Sequence, residues 1–199
     1  MRPFAAVVSL AFLFSAGAGP GATAVHAAGK ERQFSSSKYG LSVDAPPGWE
    51  LSVHTGYPNI LAVLLHPNGS RISLSAAETK LRDARDAAEQ NRPGLQAQGL
   101  TVLGVTPALR GGAILDAQSN SGKERVRQIY LVRTAEDQTR QIVVVTLTAP
   151  RDLLATMSLT LEQIASRVAA ESPPPSATPP VPPPGAARGE KIPAAPAPH

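Results

Sequence analysis

Strict alternation of apolar and polar residues first appears between residues 39 and 53. Residues 39–43 and residues 49–53 each alternate, and the sequence Pro-Pro-Gly separates them. Alternation with a period of two predicts half-buried β-strands, and Pro-Pro-Gly predicts the turn that joins them. The pattern therefore predicts two short strands, with Trp49 opening the second.

Further strands are predicted downstream. Residues 60–66 and 71–75 flank the sequence Pro-Asn-Gly-Ser, and Asn-Gly is the strongest short-range signal for a β-hairpin. Residues 142–145 are apolar at every position, which predicts a central strand covered on both faces. The four strands predicted in the second half of the chain are residues 100–106, 113–118, 126–133 and 140–147.

Two segments show helical periodicity instead. The first is predicted to be capped by Thr79 and to end or kink at Pro93-Gly94. Its expected inner face consists of Leu81, Ala84, Ala88, Asn91 and Leu95. The second begins after Pro150, and its apolar stripe consists of Leu154, Met157, Leu161, Ile164 and Val168.

The order of elements predicts the fold class. Two strands, a hairpin, a helix, four strands and a helix favour an α+β domain, an α/β/α sandwich with a mostly antiparallel central sheet. The predicted divisions of the chain are a signal peptide at 1–27, a linker at 28–38, the domain at 39–171 and a tail at 172–199.

The segment 1–27 has the pattern of a secretory signal peptide. Arg2 supplies a positive charge, residues 4–18 are apolar, and Val-His-Ala ending at Ala27 is a small-x-small cleavage sequence. An uncleaved anchor is the alternative, but an apolar run of about 15 residues is shorter than the ~20 that span a bilayer. We therefore expect cleavage near Ala27, no membrane span in the mature chain, and a location in either the periplasm or the medium.

The segment 172–199 is dominated by proline and alanine. This composition predicts a polyproline II or disordered tail. It suits a spacer or a docking peptide for a proline-binding domain, although a solvated extension is the simpler interpretation because no basic anchor flanks the prolines.

The opening strand and turn resemble the PsbP-like superfamily. The resemblance is carried by Tyr39 and Gly40, followed by Pro47, Gly48 and Trp49 in the first turn. That superfamily includes the PsbP protein of photosystem II and bacterial envelope proteins of the DcrB type. The resemblance implies a sandwich closed by a C-terminal helix over about residues 34–170 and a non-catalytic accessory or binding role. The matching residues form a folding signature, and no binding site is implied because no functional residue of any member matches a position in this chain.

Catalytic and cofactor chemistry finds little support in the sequence. The chain has no cysteine, which excludes thiolate catalysis and cysteine-based zinc sites. No HExxH, GxSxG or phosphate-binding glycine loop occurs. His26 and His199 lie in the terminal segments, and His54 and His66 are expected on different elements as exposed strand-end residues. We predict no catalytic residue, no cofactor and no metal site.

The distribution of charge gives one candidate binding patch. The net charge is +4, but the charges alternate in sign and form no basic stripe with aromatic residues, so a nucleic-acid partner is not expected. Arg125, Arg127 and Arg133 fall on one face of a predicted strand and form a candidate partner or anion patch. The alternative is that nearby acidic residues neutralise them, namely Glu124, Glu136 and Asp137.

These observations predict an exported, non-catalytic accessory or protein-binding module of the cell envelope. Its expected partner is another envelope protein, whose identity the sequence does not give. The alternative is a small-ligand carrier, or an enzyme of unrecognised mechanism, that uses a pocket within the sandwich.

Overall fold

The computed structural model describes residues 32–53, 59–135 and 137–170. The predicted signal peptide and the predicted tail lie outside these residues, as does His54, so those assignments stay predictions. In chain order the elements are β1 (Gln33–Ser36), β2 (Leu41–Asp44), β3 (Glu50–Ser52), β4 (Ile60–Leu65), β5 (Arg71–Glu78), α1 (Ala84–Ala97), β6 (Leu100–Pro107), β7 (Ala113–Ser119), β8 (Glu124–Thr134), β9 (Arg140–Pro150) and α2 (Leu154–Ala170).

Seven strands form one antiparallel sheet. Its order is β3-β4-β5-β9-β8-β7-β6, so β9 occupies the centre, as the apolar run at 142–145 predicts. Successive residues of β9 serve opposite faces: Val143 and Val145 pack toward α2, whereas Val144 packs toward α1. A helix on each face gives the predicted α/β/α arrangement.

The prediction of a linker at residues 28–38 is wrong in part, because this segment contains the first strand. Residues 33–36, inside the segment 28–38, form β1, which pairs antiparallel with β2 and brings Phe34 opposite Val43. Phe34 is buried in the core beneath α2. The strand is hard to predict from the sequence because Phe34 is its one apolar residue. Pairing with β2 supplies the rest of its stabilisation.

The first helix differs from its prediction at both ends. It begins at Ala84 with Asp83 as the cap, whose Oδ1 accepts a hydrogen bond from the backbone N of Arg85 at 2.6 Å. Thr79 instead accepts a bond from the backbone N of Leu81 in the preceding turn. The helix also continues through Pro93. Proline removes one backbone hydrogen bond, but the burial of Leu95 two residues later against the sheet offsets that loss.

The two faces of the sheet have different cores. On the α2 face large aliphatic side chains meet, such as Leu161 and Val168 from the helix and Leu147 from β9. The α1 face uses small residues from the helix, namely Ala84, Ala87 and Ala88, which pack on β6, β7 and β8.

A buried polar network crosses the α1 face. The Asn91 side-chain amide donates to the Tyr130 hydroxyl at 2.6 Å, and that hydroxyl donates to Gln128 at 2.6 Å. Gln128 in turn donates to the Thr146 hydroxyl at 3.3 Å. Burial raises the pKa of Tyr130 because the phenolate would be desolvated. The network fixes α1 on the sheet through partners that satisfy one another.

Candidate functional site

The helix α2 covers its face of the sheet only in part. It packs on β8, β9 and β2, while β7 and β6 extend beyond its flank. The uncovered strip between α2 and the β6 edge holds two neighbouring grooves, which we call together the α2 trough. Leu154 lies at one end of the trough and Ala169 at the other.

The groove near the C-terminal end of α2 is apolar. Ile114, Ile129 and Leu131 form its floor, and Ala165 and Ala169 form the helical wall. Its volume is about 380 Å³. The polar members of its lining stand at the exposed rim, namely Arg110, Glu162 and Ser166. A groove of this kind suits an apolar contact surface and offers no converging set of buried polar groups.

A tight turn holds one leucine at the rim of this groove. The turn between β6 and β7 is closed by bonds from Ala108 N to Gly112 O at 2.8 Å and from Gly112 N to Leu109 O at 3.1 Å. Arg110 adopts the left-handed conformation with φ of 56°, as does the next residue, a glycine. Leu109 is 80% exposed at this position. Because the turn is hydrogen-bonded, the leucine is presented on a defined backbone.

Gly112 is required where the turn meets β8. A Cβ at this position would lie 2.9 Å from the backbone O of Tyr130 and 3.1 Å from Leu131. A larger residue must therefore displace either the turn or β8. The Gly-Gly pair in the sequence thus serves the placement of Leu109.

The groove near the N-terminal end of α2 is centred on an ion pair. Arg127 Nε donates to Asp116 Oδ1 at 2.8 Å and its Nη2 donates to Oδ2 at 3.0 Å, so the pair is bidentate. A third bond runs from Arg127 Nη1 to the Ser158 hydroxyl on α2 at 3.2 Å. The hydrogen bond to Asp116 raises the pKa of Arg127. This pair joins β7, β8 and α2.

The three predicted arginines do not form one patch. Arg125 and Arg127 both line the N-terminal groove. Arg133 is only 8% exposed and donates to Gly40 O at 3.3 Å and to Gln141 at 3.2 Å, where it links β8 to the turn before β2. Asp116, which is distant in sequence, neutralises Arg127. A partner-binding role for these arginines stays a prediction.

His66 has a structural environment. Its Nδ1 accepts a hydrogen bond from the backbone N of Asn68 at 3.3 Å, and its ring lies 5.1 Å from the ring of Trp49. A Cβ at Gly48, whose φ is +84°, would lie 3.4 Å from His66 Nε2. The Gly-Trp pair of the first turn therefore shapes the contact with this histidine, and Trp49 is buried in the core.

The most exposed leucines of the described residues flank the trough, and sequence reasoning missed them. Leu109 stands at its rim, Leu159 is 64% exposed on the flank of α2 that also carries Ser166, and Leu103 is 51% exposed in the N-terminal groove. The available signal was that Leu159 falls outside the apolar stripe of α2 and that Leu109 lies in a turn. Exposed apolar residues grouped around one strip make that strip a candidate contact surface.

Two further findings concern the described residues alone. No group of three or more His, Cys, Asp or Glu side chains among them is arranged to hold a metal ion. Neither of their two helices combines the length and apolar composition needed to cross a membrane.

Several solved structures are similar to this chain. The solution structure of cyanobacterial PsbP (CyanoP) from Synechocystis sp. PCC 6803 is 17% identical, with 75% of this chain and 98% of that chain covered and a TM-score of 0.50. LpqN, involved in cell envelope biogenesis of Mycobacterium tuberculosis, is 17% identical with 63% and 78% covered and a TM-score of 0.41. A protein of unknown function from Pseudomonas aeruginosa, PA94, is 16% identical with 73% and 97% covered and a TM-score of 0.36.

Of these three, only the PsbP structure reaches a TM-score of 0.50, and at 17% identity it shows the fold alone. Neither the family models nor the curated protein sequences gave a match to this chain. The predicted PsbP-like α+β fold is confirmed.

Proposed function

Starting from a PsbP-like fold, we propose that this chain is an exported, non-catalytic accessory or protein-binding module of the cell envelope. Its docking surface is the α2 trough, and its partner is another envelope protein. One observation carries the proposal: an apolar groove of about 380 Å³ is flanked by the most exposed leucines of the described residues. An apolar strip with a polar rim is the usual anatomy of a protein-binding surface.

The composition of the trough supports binding over catalysis. A catalytic site needs a nucleophile or a proton-transfer group held by a partner close to the reacting atoms. In the trough the one bidentate pair, Arg127 with Asp116, has each side chain satisfied by the other, and it ties strands to a helix. Glu162 and Arg110 stand at the exposed rim of the other groove.

The proposed location rests on the sequence of residues 1–27. A charged start, an apolar segment and a small-x-small cleavage sequence support export followed by cleavage near Ala27. Fractionation of cells that express the chain, with sequencing of the N-terminus of the recovered protein, tests this part separately. An extracytoplasmic chain that starts near residue 28 is expected, and an intact N-terminus in the cytoplasmic fraction would refute it.

The docking surface is tested by photocrosslinking in living cells. A photoreactive amino acid replaces Leu109 in one variant and Leu65 in the other. Leu65 is a matched control because it is a leucine, is 46% exposed and lies on β4, toward the opposite edge of the sheet. We expect one reproducible crosslinked envelope protein from position 109 and none from position 65. The same products from both positions, or none from either, would overturn the proposal.

A carrier of small apolar ligands is the second candidate. The volume of the apolar groove falls within the range of roughly 300–1,000 Å³ that ligand pockets occupy. The exposed rim of the groove argues against a carrier, because ligand pockets bury most of the ligand surface. Saturable binding of a fatty acid or an apolar dye, abolished by Leu131→Glu in a variant that still folds, would favour the carrier over the binding module.

A further inference from the structure

The α2 trough is open at the point where the chain leaves the domain. Ala169 lines the apolar groove, and α2 ends one residue later at Ala170. The chain continues with Glu171 and Ser172 and then with residues 173–184, which hold proline at eight of twelve positions and carry no charge. The segment that follows α2 therefore starts beside an apolar surface that no described element covers.

We propose that residues 173–184 dock in the α2 trough of the same molecule, running antiparallel to α2. This inference rests on the proposed function, since it names the first occupant of the same surface. An external partner must then displace the chain's own proline-rich segment to bind.

The lengths agree. Leu154 and Ala169 mark the two ends of the trough and are about 22 Å apart along α2, at 1.5 Å per residue. A polyproline II strand rises 3.1 Å per residue, so about seven residues cover that distance. Glu171 and Ser172 are available for the reversal of direction, and residues 173–184 exceed the required length.

The composition of the segment also suits the apolar groove. A backbone laid on Ile114, Ile129 and Leu131 loses water, and each amide N–H without a partner there would be penalised. Proline has no amide N–H, so a proline-rich segment leaves few donors unsatisfied. The segment also carries no charge that the apolar groove would have to desolvate, while Arg110 and Glu162 keep their contact with water at the rim.

Tethering makes a weak contact sufficient. A segment attached at the end of the groove experiences an effective concentration on the order of mM. An intrinsic dissociation constant of about 0.1 mM would then keep the trough occupied in about nine molecules of ten. A restricted proline segment also loses little conformational entropy when it docks.

The test is paramagnetic relaxation measured on the full chain. Because the sequence contains no cysteine, Thr178→Cys accepts a single nitroxide label. We expect the methyl signals of Leu103 and Leu154, at the far end of the trough from Ala170, to lose most of their intensity. The methyl signals of Leu65 on β4, which is five strand spacings or about 24 Å from Leu103 on β6, should keep theirs.

Two controls separate docking from simple proximity. A label at Ala195→Cys lies outside the docking segment and should broaden Leu103 and Leu154 less than the label at position 178 does. Adding Leu109→Asp to the Thr178→Cys chain should restore their signals, because the charge opposes an apolar occupant. Equal intensities at Leu103 and Leu65, or a loss that Leu109→Asp does not relieve, would overturn the inference.

The outcome is independent of the proposed partner. The measurement uses the isolated chain, so absent broadening together with a position-109 crosslink would overturn the docking of residues 173–184 and leave the protein-binding function intact. Clear broadening of Leu103 and Leu154 with no crosslinked protein would support the docking of residues 173–184 and overturn the protein-binding function.

Discussion

The two faces of the sheet are covered in different ways. On one face α1 lies close to β6, β7 and β8 through alanines, and a buried network from Asn91 fixes it in place. On the other face α2 packs through large aliphatic residues on β8 and β9 and leaves β6 and β7 open. The most exposed leucines flank the open strip. The comparison shows one face closed by its helix and the other left partly open, and the open strip is where we propose the contact surface.

The largest expected effect tests whether the α2 core carries stability. Leu161→Ala removes a fully buried side chain and should lower the free energy of unfolding by roughly 2–5 kcal/mol. Leu159→Ala, on the exposed flank of the same helix, should change it by less than about 0.5 kcal/mol. Urea denaturation measures both. Similar losses in the two variants would contradict the division of α2 into a core side and a contact side.

The next effect concerns the turn that presents Leu109. Gly112→Ala places a methyl group 2.9 Å from the Tyr130 carbonyl, and relief of that clash should cost about 1–3 kcal/mol. Gly104→Ala is the matched control, because nothing lies within 4 Å of a Cβ there. Thermal denaturation should separate the two variants. Equal melting temperatures would show that the turn at Gly112 does not pack tightly against β8.

The α1 face can be broken through its polar network. Tyr130→Phe leaves Asn91 and Gln128 without their shared hydroxyl and should cost about 1–3 kcal/mol. It should also change the dependence of stability on pH. Burial raises the pKa of Tyr130, so the unfolded chain loses its proton first and wild-type stability falls as pH rises above about 10.

The phenylalanine variant lacks this proton and should lose less stability over the same pH range. Denaturant titrations at pH 8 and at about pH 11 on both proteins measure the difference. Parallel losses would show that Tyr130 ionises as readily in the folded chain as in the unfolded one.

A smaller effect is expected at the ion pair that crosses the trough. Asp116→Asn leaves Arg127 with a weaker partner, but both side chains are partly exposed, so we expect a loss of about 1 kcal/mol or less. The loss should shrink in about 1 M salt, where exposed charges are screened. Urea denaturation at low and high salt checks this. A salt-independent loss of several kcal/mol would mean that the pair is an essential part of the α2 packing.

Local patterns predicted most of the strands and α2. The apolar run at 142–145 identified the central strand because β9 is covered on both faces, and the stripe from Leu161 to Val168 identified α2 because the helix packs on one side. Two elements, β1 and α1, were harder to predict from local patterns. β1 has a single apolar residue, and α1 continues through Pro93 because tertiary packing overrides local preference.

The candidate site was hardest to predict, because it arises from the position of one element relative to another. The trough exists because α2 stops short of β6 and β7, and no local pattern records that offset. Arg127 was identified as a charged strand residue, but its partner Asp116 lies on a neighbouring strand that only the sheet register brings opposite. The exposed position of Leu159 was visible in the helical periodicity, since it falls outside the apolar stripe.

In the proposed function the α2 trough is the docking surface of a protein-binding module. The most direct measurement is the affinity of the crosslinked partner for Leu109→Asp and for Leu65→Asp, two exposed leucines that receive the same charge. Both variants should keep wild-type stability within about 0.5 kcal/mol. We predict that Leu109→Asp weakens binding about tenfold or more and that Leu65→Asp leaves it unchanged. Equal affinities in the two variants would contradict the account.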